Sequence, residues 1–80
     1  MQKVNNSPIS FDKKYMFFEY GGVNYRVKTE EVSSKLSNAD YQTKMHFKIS
    51  PSGYGIHWPL IDEDLSFSGL IKLAEIINKK

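Results

Sequence analysis

The chain has 80 residues, the length of one small domain whose core is too thin for a deep, walled active site. It contains no cysteine, which excludes a disulfide framework and any thiolate metal site. With 11 basic against 9 acidic residues the net charge is +2, short of the one-sided basic excess of a dedicated nucleic-acid binder.

No apolar run approaches the roughly 18 residues that a membrane span requires. The polar start, with Asn5, Asn6 and Ser7 in a row, has no apolar centre like that of a signal peptide. A cytoplasmic protein is the expectation, in keeping with the absence of cysteine. High aromatic content, with five Phe, five Tyr and one Trp, argues for a packed core rather than a disordered chain.

Residues 1–8 read as a loosely attached arm, and 9–80 as a single domain. Ile9 and Phe11 alternate with Ser10 and Asp12, which predicts a short first strand. Asp12–Lys13–Lys14 is a polar turn, and the aromatic-rich run from Tyr15 to Tyr20 predicts a second strand. Gly21–Gly22 between two β-prone runs predicts a two-residue hairpin turn. Val23, Tyr25 and Val27 then share one face of a third strand, with Asn24, Arg26 and Lys28 on the other.

Thr29 is placed as the N-cap of a short helix containing Glu30, Glu31 and Val32. Ser37 or Asn38 is placed as the cap of a second, running through Tyr41 and Met45. Phe47 and Ile49 predict a fourth strand, Pro51–Ser52–Gly53 a turn, and Tyr54 to Trp58 a fifth strand or extended segment. Phe67, Leu70, Ile71, Ala74 and Ile77 form a helical stripe, which predicts a last helix from about Ser66 to Asn78. Glu75 and Lys79 would be an i, i+4 pair on its outer side. The expected fold is α+β: a small twisted, mainly antiparallel sheet of four or five strands, the C-terminal helix on one face, and one or two short helices.

Four constellations could carry function. The run Asp62–Glu63–Asp64 reads either as charge placed ahead of a helix N-terminus or as an anionic patch that docks a cationic partner. It lacks the spacing and glycine turn of a calcium loop, so no metal is expected. His57 reads as a strand residue bonded to a nearby carboxylate, or as a base oriented by Asp62 or Asp64. No nucleophile stands in a recognisable setting beside it, and His46 has no partner at ligand spacing. Gly53–x–Gly55 lacks the following helix of a phosphate cradle and reads as backbone geometry. Arg26 and Lys28 are candidate nucleic-acid contacts, although Tyr25 points away from them and a solvated sheet face competes.

The block Gly53–Tyr54–Gly55–Ile56–His57–Trp58–Pro59, followed by Asp62–Glu63–Asp64–Leu65–Ser66 and Gly69–Leu70, resembles the hallmark of a bacterial family, domain of unknown function 2442. Leu36, Asn38–Ala39 and Lys44 also fall where that family has a Leu, an Asn-Ala pair and usually an Arg. The resemblance covers roughly residues 9–71. It implies a small α+β domain that looks like the antitoxin of a toxin–antitoxin pair. Thr29 to Lys35 departs from the family, which often has a Trp or Tyr with Pro and Arg there. Where that helix meets a partner, the partner would differ.

The expected function is therefore a non-enzymatic protein-binding module that neutralises a small basic toxin. Asp62, Glu63, Asp64, His57 and Trp58 would form its contact surface. No cofactor and no membrane are expected, and a homo-oligomer stays open. The competing readings are a nucleic-acid-binding regulator using Arg26 and Lys28, and an inhibitor of a host protein carried by a phage or mobile element.

Overall fold

The computed structural model describes residues 8–79 and forms an α+β fold of two antiparallel sheets and four short helices. The expected arm over 1–8 lies outside these residues apart from Pro8. The first three strands are β1 (Ile9–Phe11), β2 (Tyr15–Tyr20) and β3 (Val23–Lys28). The β1–β2 turn is held by Asp12, whose Oδ1 accepts from the Lys14 N–H at 2.8 Å and the Tyr15 N–H at 2.7 Å. In the β2–β3 turn Gly21 and Gly22 have φ of 62° and 82°, which L side chains rarely adopt. Both central residues at positive φ suit the twist of a tight hairpin.

Register then sorts the side chains. Ile9 pairs with Phe18, and Met16 with both Phe11 and Val27. All five of these residues are buried on the inner face. Tyr15, Phe17 and Arg26 share the other face, as the period of two requires.

Three single-turn helices follow: α1 (Thr29–Val32), α2 (Ser34–Ser37) and α3 (Tyr41–Lys44). The expected caps are displaced. Thr29 lies inside α1 and is buried, and its Oγ1 has no hydrogen-bond partner among the described residues. Ser33 caps α2, accepting from the Leu36 N–H at 3.0 Å, and Asp40 caps α3, accepting from the Thr43 N–H at 2.8 Å. These short polar side chains satisfy amides that a helix start leaves open.

A second sheet comprises β4 (Lys48–Ile49), β5 (Gly55–Trp58) and β6 (Glu63–Ser66) in that order. Four or five strands were expected in one sheet; the chain pairs a four-stranded and a three-stranded sheet around a shared core that includes Met16, Phe18, Leu36, Ile56, Trp58 and Leu70. Gly55 fits closely at the β5–β6 contact, where an added Cβ would lie a tight 3.1 Å from the Leu65 carbonyl oxygen.

The last helix is shorter than its apolar stripe predicts. Ser66 caps α4 (Phe67–Leu73), and Ala74, at φ −88° and ψ 160°, ends it. Residues Glu75–Lys79 form β7, antiparallel to β3, so Glu75 and Lys79 are strand residues and not a helical pair. Ile76 and Ile77 are β-branched and lose little by leaving a helix, and the open ladder of β3 gains a partner. The first sheet thus runs β1-β2-β3-β7.

The turn and cap carboxylates set an acid limit. Hydrogen bonds from Tyr15 and then Lys14 hold the Asp12 carboxyl below its ordinary value of 3.8. Hydrogen bonds from Thr43 do the same for Asp40. A carboxyl lowered by folding stabilises the fold above its unfolded value, and that support is lost as pH falls through the folded value. The melting temperature, followed by circular dichroism, is expected to fall below about pH 4. Asp12→Asn should be less stable at pH 7 and should show a smaller further drop in acid. Equal acid slopes in the two proteins would remove Asp12 from this account.

Candidate functional site

The outer face of the β4-β5-β6 sheet carries a row set by strand register: Lys48 opposite His57, and His57 opposite Asp64. His57 Nδ1 lies 2.7 Å from Asp64 Oδ1, and both side chains keep solvent access. Nε2 of the ring has no hydrogen-bond partner among the described residues. The pair floors an open groove of about 870 Å³, with Ile49, Pro51 and Tyr54 around it. That size falls within the range of ligand clefts. Tyr54 is 67% exposed, the most open of the large apolar side chains among the described residues.

An imidazole oriented by a carboxylate is also the positioning half of a general base. The two serine hydroxyl oxygens lining the same groove each accept backbone hydrogen bonds. Ser50 Oγ accepts from the N–H groups of Tyr54 at 3.2 Å and Gly55 at 3.3 Å. Ser66 Oγ accepts from the Gly69 N–H at 3.1 Å. Among the described residues no three His, Asp or Glu side chains gather where they could hold a metal ion.

The acidic run is not one loop. Asp62 ends the turn between β5 and β6 with φ 53°, a conformation that Asp tolerates better than most side chains. Its carbonyl accepts from Lys35 Nζ at 3.3 Å. Glu63 and Asp64 belong to β6, so their side chains take opposite faces. Glu63 turns inward: Oε2 accepts from the Ser33 hydroxyl, and Oε1 accepts from the Asp64 N–H at 3.2 Å. Only Asp62 and Asp64 present carboxylates outward. Since α4 begins at Phe67, with Ser66 as its cap, the helix is not what offsets this charge.

Trp58 is a correction to the expected contact surface. It is 0% exposed, and its Nε1–H donates to the Lys44 carbonyl at 2.8 Å. Neighbouring strand residues face opposite ways, so the exposure of His57 and the burial of Trp58 are two sides of one geometry. The other candidate patch is also occupied. Arg26 Nε lies 2.6 Å from Glu75 Oε1, and its guanidinium stacks 4.6 Å from the Tyr15 ring centroid. The Glu75 carboxylate raises the Arg26 pKa further, and a cation so paired offers less to a phosphate. Lys28 is exposed on the same face.

Sequence reasoning missed Ser33 and Glu75. Ser33 had a readable signal, a serine three residues before Leu36, the usual cap spacing. Glu75 had none, because its partner Arg26 is 49 residues away.

A small two-sheet α+β domain with a His–Asp row on an open sheet face is the class that this geometry defines. The chain belongs to the family described as protein of unknown function (DUF2442), whose model matches residues 11–75. No curated protein and no solved structure matches it.

Proposed function

We propose that this domain acts by binding a partner protein rather than by catalysis, as the antitoxin-like member of a pair. The observation that carries the reading is the outer face of the second sheet. There Asp64 and His57 sit in an open groove beside exposed Tyr54 and Ile49. Apolar side chains left in water around a few convergent polar groups mark protein contact surfaces. Asp62 and Asp64 suit a cationic partner surface, such as that of a toxin that cuts RNA, where carboxylates would stand in for phosphates. Charges at such a rim act chiefly on association rate and partner choice. No described helix is long and apolar enough to cross a membrane, and the proposal places both partners in the cytoplasm.

The test is co-purification of the tagged full chain from its native cells. A small basic protein should be retained, and Asp62→Ala with Asp64→Ala should weaken retention about tenfold, the scale of 1.4 kcal/mol. Glu63 is left in place because it holds Ser33. A complex that is indifferent to the double variant would remove the carboxylates from the interface.

A further inference from the structure

The second sheet ends at β6, and the backbone of that strand is half used. The Phe67 N–H donates to the Tyr54 carbonyl at 2.9 Å. That bond fixes the parity of the ladder: Leu65 and Glu63 exchange backbone bonds with β5, and Asp64 and Ser66 turn theirs away from it. The Asp64 N–H agrees, since it bonds to the Glu63 side chain and not to β5. Among the described residues no strand pairs with this outer edge.

Beside the edge runs a groove of about 330 Å³, walled by α1 and α4 and lined by Glu31, Val32, Leu70 and Leu73. Gly69 has no side chain to fill it, and Leu73 is 53% exposed. The groove is lined by two acidic residues, Glu31 and Asp64, and by no Lys or Arg. An unpaired edge beside a helix-walled apolar groove is the arrangement that takes an extended peptide as an added strand.

We infer that β6 accepts an extended segment of a partner protein as a fourth strand, with a basic side chain opposite Asp64 and an apolar one opposite Leu65. The inference rests on the protein-binding reading above and specifies its mode. The Asp64 carbonyl and the Ser66 N–H bond the incoming backbone. An incoming carbonyl replaces Glu63 Oε1 on the Asp64 N–H. Alternation then sends one side chain toward the anionic face and the next into the groove beside Val32 and Leu70. Backbone bonds supply affinity, and the two faces supply selectivity.

The probe is a phage-displayed library of random nine-residue peptides, selected on the full chain. The winning peptide is then synthesised and titrated by fluorescence anisotropy and amide NMR. Winners are expected to alternate basic and apolar residues and to shift the amides of Asp64, Leu65 and Ser66. Glu31→Lys with Asp64→Lys should weaken them at least tenfold and turn a repeated selection toward acidic peptides. Methylating the peptide amide that donates to the Asp64 carbonyl should cost a similar factor.

Recovery of no peptide would mean that the charges only guard the edge, and would overturn the inference. Peptides that shift the Tyr54–His57 groove instead would overturn it while the protein-binding proposal stands. Self-association that broadens the β6 amides without peptide would overturn it in favour of a second copy of the chain. Retention of no partner by the unmodified chain in the co-purification test, with peptides still selected on β6, strikes the wider proposal and not the strand addition, so the two failures are distinguishable.

Discussion

Trp58→Ala is expected to remove about 3–5 kcal/mol of stability, the usual cost of deleting a buried large aromatic side chain. A domain this size has only about 5–10 kcal/mol in all, so the variant should sit near the edge of unfolding. Two losses combine. The indole leaves a cavity beside Phe47, whose ring centroid lies 6.3 Å away. The Lys44 carbonyl at the end of α3 also loses its donor. With a urea slope of about 1 kcal/mol per molar for a small domain, the midpoint should fall by about 3 M or more. Trp58→Phe should be milder, since it keeps most of the ring volume and leaves only the carbonyl unpaired, at about 1–3 kcal/mol. Trp58 is the sole tryptophan, so its emission in the wild-type chain reports its burial directly. Red, water-like emission with a midpoint unmoved by alanine would return Trp58 to the surface.

Leu36→Ala should be of similar size, about 2–5 kcal/mol. Leu36 is 0% exposed and is the one buried residue of the four-residue α2. A single helical turn cannot sustain itself in water, so this side chain is what holds the segment to the core. Its loss should also free Ser33, which caps α2 and bonds Glu63 of β6. The amides of α1 and α2 should then exchange with solvent well before the rest of the domain. Leu36→Met keeps the volume and should cost under about 1.5 kcal/mol. Uniform exchange across the chain in Leu36→Ala would show that α2 does not open separately.

How much of this was legible in the sequence depended on how local each cause was. The Gly21–Gly22 hairpin and the buried stripe of Met16, Phe18 and Val27 follow from neighbours a few residues apart, and alternation alone reveals them. The bond between His57 and a nearby carboxylate was also within reach, because a short turn brings β6 back along β5. The same alternation separates Trp58 from His57, so the burial of Trp58 was readable from Ile56 and Trp58 sharing a face. The acidic run misled because three like residues in a row suggest one patch, whereas a turn and a strand divide them. Beyond Ala74 no local signal decided the outcome. Phe67 to Ile77 fits a helical stripe, and only the distant edge of β3 makes the end of that stripe a strand. The pairing of strands into two sheets is equally non-local.

The position of β7 has a consequence for the order of folding. The β2–β3 hairpin closes across two residues and can form on a microsecond scale. Its neighbour β7 is separated from it in the chain by the helices and the whole second sheet, so that Arg26 meets Glu75 across 49 residues. Closing so long a loop costs entropy that no local contact repays in advance. The first sheet is therefore started early by one of its strand pairs and completed late by another. Until that last step the outer ladder of β3 stays open to pairing with other chains, which makes the interval before β7 docks the stretch of the folding reaction most exposed to aggregation.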